Sequence, residues 1–461
     1  MLQEAVKLHT QVRAPTKLYR SWFLLLLILV YASSFVDRIL IAVVGQSIKV
    51  EMNLTDLQLG LLGGLAFSIF YSVLGIPIAR LGERYNRVTI ISIAIIAWSA
   101  MTALCGTATV FGQLLLYRLG VGVGEAGSTP MAHSLIADQF PENRRATALS
   151  LYALGPPLGV IAGALGGGWI AQHMGWRPAF FVFGLPGLIL GILTYLTLRE
   201  PKRGGADTNP KAITAHVPPL RDVVRLLLSS KTFVQLLLGT VIGSFAQFGI
   251  NLFIPIYLNR VFGMNYAQAG LVFGLVVGIG GILGNALGGF SADWASSRDR
   301  RWYAWVPALG AIAGFPLAAI AFMQHDWVIA MSCIFASTIM LNVWNGPTFA
   351  VIQGLVEPRM RATASAFVFL LMTLIGQGGG PAFIGFLSDK FAAHYFVGGN
   401  YQVACNAIKG HGSVAGMQDP LIQACAAASA TGIRYAMLSV TVILVWSSFH
   451  YFLAGRTIKR K

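Results

Sequence analysis

The stretch SWFLLLLILVYASSFVDRILIAVV, residues 21–44, decides the fold. Its 24 residues are long enough to cross a hydrocarbon core of about 30 Å as a helix. Near its middle stand two opposite charges, Asp37 and Arg38. Charges at membrane depth are expensive, so they face a cavity or a partner and mark substrate or proton paths. A structural ion pair is the plainer reading. Neighbouring helical residues point about 100° apart, however, so these two cannot simply neutralise each other and each needs its own partner.

The same pattern of apolar runs continues through the chain. Of 461 residues, 56% are hydrophobic and 11% charged, against about 25% charged in soluble domains, and the mean hydropathy is +0.68. The composition predicts an all-α polytopic membrane protein, and the 52 glycines suit close helix packing in a bilayer. Twelve spans are expected, near 21–47, 57–80, 88–108, 111–137, 145–172, 177–198, 232–260, 267–292, 302–323, 327–354, 362–388 and 431–455. The first run lacks a small-residue cleavage site and reads as a retained span.

The net charge of +16 would suggest nucleic acid but for its distribution. Of 33 Lys and Arg residues, 25 fall in the tail 1–20, the alternate loops, the segment 199–231 and the tail 456–461. The opposite face has only Lys49, Arg177, Arg260, Lys390, Lys409 and Arg434. The positive-inside rule places both termini in the cytoplasm of a bacterial-type inner membrane, and the basic excess attracts anionic membrane lipid, with no nucleic-acid partner required. Cys405 and Cys425 share the loop between spans 11 and 12 on the outer side, where an oxidising compartment permits a disulfide.

Residues 199–231 carry Pro201, Gly204, Gly205, Pro210, Pro218 and Pro219 between two sets of six spans. They read as a linker with at most a short surface helix near 220–228. The domains are thus a bundle over 21–198 and a bundle over 232–455. Similar punctuation follows span 2, at Arg80 to Arg84, and span 8, at Gly288 to Asp293. There is no Walker A sequence, filter-like re-entrant segment, metal-ligand cluster or serine-histidine-acid arrangement, so a pump driven by ATP, a channel and an enzyme are disfavoured, and no cofactor is expected.

Three motifs carry a resemblance. Tyr117-Arg118-Leu119-Gly120-Val121-Gly122-Val123-Gly124-Glu125-Ala126, with Gly82-Glu83-Arg84-Tyr85-Asn86-Arg87 and Phe35-Val36-Asp37-Arg38, resembles the Spinster family of the major facilitator superfamily. Glu83 stands where that family usually has Asp, which keeps the charge and lengthens the arm. The resemblance implies two six-helix bundles rocking about a central site, and secondary active transport of lysophospholipids or sphingoid-type lipids, often proton-coupled. It also implies that Glu83, with Arg84 and Arg87 beside it, meets a helix end or an arginine of the other half in one state and releases it in the other. A multidrug or small-metabolite transporter on the same fold is the alternative, and a non-transporting sensor a weaker one. A monomer is expected.

In span 4, Arg118 and Glu125 are seven residues apart and return to within about 20° on one face. Spans 1 and 4 line the cavity in the resembled fold, so Asp37, Arg38, Arg118 and Glu125 form one candidate network. Arginine does not release its proton, so Asp37 and Glu125 are the proton-carrier candidates and Arg38 the switching counter-ion. Arg38 or Arg118 could instead hold an anionic headgroup, and Arg118 could equally brace Glu125. His133 is either a packed neutral ring or a group titrating near neutrality. The C-terminal half offers amides: Gln247, Asn251, Asn342, Asn345 and Gln377 can bind a headgroup or merely join helices. Phe245, Phe248, Phe253, Trp344 and Phe349 can line an acyl chain or simply pack. Gly75, Pro77, Pro130, Gly155, Pro156, Pro157 and Gly159 predict bends, with spans 4 and 5 kinked.

Overall fold

The computed structural model describes residues 16–203, 220–356, 360–397, 399–409 and 420–458. Among them there is no β-strand. Spans 1 to 6 are Lys17–Met52, Asp56–Gly82, Arg87–Cys105, the broken pair Phe111–Glu125 and Ser128–Gln139, the pair Glu142–Tyr152 and Gly155–Met174, and Trp176–Thr197. Spans 7 to 12 are Lys231–Phe262, Tyr266–Ser296, Trp302–Met323, the pair Trp327–Asn342 and Asn345–Gly354, Thr363–Tyr395, and Pro420–Thr457. Among the described residues eleven of these are apolar and long enough to cross a membrane as they stand; the twelfth, span 4, consists of the two shorter pieces Phe111–Glu125 and Ser128–Gln139. The linker contributes a short amphipathic helix, α1, Leu220–Ser229.

The interruptions have a common cause. In span 4, Gly127 takes a left-handed φ of 81° and the second piece starts at Ser128, with Pro130 its third residue. Pro130 has no N–H to give the carbonyl four residues back, so the first helix stops before it. Span 10 repeats the device, breaking at Val343 and Trp344 with Pro347 third in its second piece. Interrupted spans at matching places in two halves point to a binding site between them. Span 5 breaks at Ala153 and Leu154, where Pro156 and Pro157 open the second piece. Pro77, by contrast, stays inside a continuous helix.

Both halves begin and end on one face, the termini face: the Trp22 indole donates to Thr197 (2.9 Å), and the Thr232 and Thr457 hydroxyls are 2.7 Å apart. The halves close on each other toward the opposite, distal face. There span 2 presses on span 11 through small residues, so that a Cβ on Gly64 would lie 2.6 Å from the Gln377 carbonyl oxygen. Span 5 meets span 8 likewise, a Cβ on Gly168 lying 2.6 Å from the Tyr266 carbonyl oxygen. Nearer the termini face, a Cβ on Gly281 or Gly289 of span 8 would meet open space. Because backbone cannot yield as a flexible side chain can, Gly64→Val should pry the distal seam apart. Pairs of spin labels across that seam should report a longer mean distance; an unchanged distribution would show that the seam tolerates the added volume.

Candidate functional site

At the centre of the N-terminal half, the long first span brings Asp37 and Arg38 opposite the end of the first piece of span 4. Glu125 Oε2 accepts from Arg38 Nε at 3.0 Å and from its Nη2 at 2.7 Å. The guanidinium also lies 4.9 Å from the ring of Phe35, 4.6 Å from Phe67 and 4.8 Å from Tyr71. Such a cage strengthens as water is excluded. The Arg38 side chain is 16% exposed and that of Glu125 fully buried, so the arginine is the member of the pair that a solute in the cavity can reach.

Asp37, next in sequence, points elsewhere. It is 1% exposed, its carboxylate faces the Thr102 hydroxyl, and among the described residues it makes no ion pair. Arg118, equally buried, donates from Nη1 to the Asp37 carbonyl at 3.1 Å and from Nε toward the Leu62 carbonyl at 3.5 Å, tying spans 1, 2 and 4 together. Arg118 therefore does not brace Glu125, whose ion pair is with Arg38. Seven residues along a helix are about 10 Å of rise, whereas span 1 stands directly alongside. The second oxygen of Glu125, Oε1, is buried without a hydrogen-bond partner among the described residues.

In the other half Gln247 and Trp344 line a small cavity with Ser244, Thr240 and Tyr451, where the Thr240 and Tyr451 hydroxyls lie 2.9 Å apart. The Ser244 hydroxyl is buried there without a hydrogen-bond partner among the described residues. Asn251 is half-buried one turn beyond Gln247. Asn342 gives its amide to the Thr338 carbonyl of its own helix at 2.7 Å, and Asn345 is exposed at the span-10 break. Gln377 is buried at the seam with span 2. Phe253 is fully buried in the core, and Phe245 packs 5.6 Å from Phe383. The rings of Trp344 and Phe349 lie 6.3 Å apart, tilted to one another. His133 is exposed, its ring edge-on to Tyr152 at 5.4 Å.

Of the residues expected at the gate, the Glu83 side chain lies outside the described residues, and Arg84 is exposed. Arg87 is held within its own half: Nη1 donates to Asp138 and Ser134, each at 2.6 Å, and Nε to Glu200 at 2.6 Å. It clamps the ends of spans 3, 4 and 6. Cys405 and Cys425 are joined by a disulfide, with Cα atoms 5.7 Å apart.

A second charged cluster, not singled out in the sequence, closes the distal face. Asp56, at the start of span 2, takes Lys49 on Oδ1 (2.5 Å) and the fork of Arg260 on both oxygens (2.6 and 2.7 Å), and accepts from Ser388 at 2.7 Å. Asp389 of span 11 accepts the Asp56 and Leu57 N–H groups at 3.0 and 2.9 Å, capping a helix of the other half. Arg260 also donates to Gln46 at 2.8 Å. Lys49 and Arg260 were legible as rare cations on the sparsely charged face, and Asp56 and Asp389 as acids on that face. Only their proximity was hidden.

Residues 26–381 match the Major Facilitator Superfamily. An MFS-type efflux pump of Mycolicibacterium smegmatis is 34% identical over 372 residues, covering 80% of this chain and 85% of that protein. The sphingosine-1-phosphate transporter SPNS2 of Mus musculus is 31% identical over 374 residues, 77% of this chain and 67% of its own length. The crystal structure of a bacterial homolog to the human lysosomal transporter Spinster, inward-facing and unoccupied, superposes with a TM-score of 0.85 at 33% identity, covering 96% of this chain and 98% of that one. The chain belongs to the Major Facilitator Superfamily as a Spinster-like protein, a transporter and not an enzyme.

Proposed function

We propose that this protein is a proton-linked transporter of an amphipathic lipid, a lysophospholipid or sphingoid-type molecule, working as a monomer in a bacterial inner membrane with both termini cytoplasmic. The observation that carries the reading is the Arg38–Glu125 pair in the same half as the buried Asp37 carboxyl, which makes no ion pair among the described residues. Arg38 can trade Glu125 for Asp37 or for an anionic headgroup, and a proton takes the place the guanidinium leaves. On this reading the structure is inward-facing, closed by the Asp56 cluster and parted toward the cytoplasm. A lipid headgroup would meet Arg38 and the amides of the C-terminal half, with its chain lying along apolar helix faces.

The test is a series of single-chain lysolipids of increasing length, titrated onto purified protein and followed by counterflow in liposomes. Affinity should rise up to about fourfold for each methylene newly buried. Arg38→Lys keeps the charge but loses the fork, and should weaken anionic lysolipids more than zwitterionic ones. Saturable binding of water-soluble solutes with no dependence on chain length would reject the lipid. The likeness to an efflux pump supports a second reading, export of varied apolar cations or neutral drugs. That reading expects Arg38→Lys to leave drug affinity unchanged.

A further inference from the structure

The termini face carries a cavity of about 420 Å³ that belongs to neither the central site nor the distal cluster. It lies where α1, the start of span 7 and the end of span 12 meet, and its walls include Leu228, Ser229, Lys231, Gln235, Arg456 and Thr457. Its two cations are exposed and, among the described residues, have no acidic partner. Two cations without an acidic partner on the wall of one concave site are complementary to an anion.

What lies deeper defines the ligand. Lys231, Gln235 and Leu238 follow one another at helical spacing on span 7, as Arg456, Phe452 and Phe449 do on span 12, so each cation heads a stripe running into the membrane. Leu238, Phe449 and Phe452 are exposed, and Arg456 lies 4.9 Å over the Phe452 ring. Beside them α1 buries Val223 and Leu227 in the C-terminal half while leaving Leu226 and Leu228 bare, the habit of a helix lying in the interface.

We infer that this cavity binds the headgroup of an anionic phospholipid, its phosphate held by Lys231 and Arg456 and its acyl chains along the two stripes, Leu238 on span 7 and Phe452 and Phe449 on span 12. A lipid held there would bridge the linker helix and both outer spans of the C-terminal half. The inference does not depend on the transported substrate, because the lining of this cavity shares no residue with the central site.

The full-length protein, purified and stripped of lipid, is titrated with phosphatidylglycerol, with phosphatidylcholine of the same chains, and with inorganic phosphate, and bound species are counted by native mass spectrometry. A basic side chain near the surface contributes about fivefold, so Lys231→Gln/Arg456→Gln should weaken phosphatidylglycerol by about 25-fold and leave phosphatidylcholine unaffected. The exchange Lys231→Arg/Arg456→Lys should restore binding, which separates lost charge from lost fold. A control pair on the span 8–9 loop, Arg298→Gln/Arg300→Gln, should bind as the parent does. The inference is overturned if the control loses as much, if the double variant binds phosphatidylglycerol as the parent does, or if phosphate alone competes at equal affinity, which would make this a site for a free anion.

Discussion

Glu125→Gln should abolish accumulation of substrate driven by a pH gradient, reducing it to the level of empty liposomes, while leaving substrate binding near that of the parent. Gln keeps an acceptor for Arg38 at nearly the same volume, so the aromatic cage around the guanidinium and the packing of spans 1 and 4 should persist. What it removes is the only carboxylate in ion-pair contact with Arg38 among the described residues. A carrier whose counter-ion pair no longer changes protonation can still exchange substrate across the membrane, but it cannot make the exchange depend on protons. Asp37→Asn should act in the same direction through the second carboxyl, which lies buried and makes no ion pair among the described residues. Both variants are measured in two assays on one preparation: uptake against a pH gradient, and counterflow without one. Uptake at parental level in both variants would remove these acids as proton carriers, and loss of counterflow as well would show that the folded cavity, and not coupling, had been damaged.

Much of this site was legible because charge inside an apolar run has no bland explanation cheap enough to prefer. Asp37, Arg38, Arg118 and Glu125 announced themselves in that way, and the structure brings all four into one region. Their pairing was not legible. Helical periodicity puts Arg118 and Glu125 on one face, but lateral neighbours on span 1 are nearer than residues two turns along the same helix, so Glu125 took Arg38 and Arg118 took backbone carbonyls. The break in span 10 was missed where that in span 4 was expected as a kink, although Pro347 holds the same place in its second piece as Pro130 does. The distal cluster was hidden for a different reason. Charges at the ends of apolar runs are ordinarily solvated, and only the docking of two halves more than 200 residues apart in sequence buries Asp56 against Arg260.

That burial sets the second large effect, expected from Asp56→Asn. In the parent, Lys49 and Arg260 share one carboxylate oxygen, and both side chains are 5% exposed. The amide leaves two buried cations facing each other with only Asp389 nearby to offset them. Breaking a buried pair costs about 3–5 kcal/mol, and here the cost falls only on the state in which the distal face is closed, because opening returns both cations to water. Inverting a two-state population from 99:1 to 1:99 takes about 5.5 kcal/mol, so the variant should turn a mostly closed ensemble into one with the open form abundant or dominant. Spin labels at Val110 and His325, exposed on distal loops of opposite halves, would show it as a second, longer distance peak in the variant. Arg260→Lys, which keeps the charge but gives up the two-pronged contact, should fall between parent and Asp56→Asn. A general loss of stability would broaden every distance, including one measured within a single half. A shift confined to the pair spanning the halves is what a latch predicts, and identical distributions in parent and Asp56→Asn would show that the cluster braces the fold without holding the distal face shut.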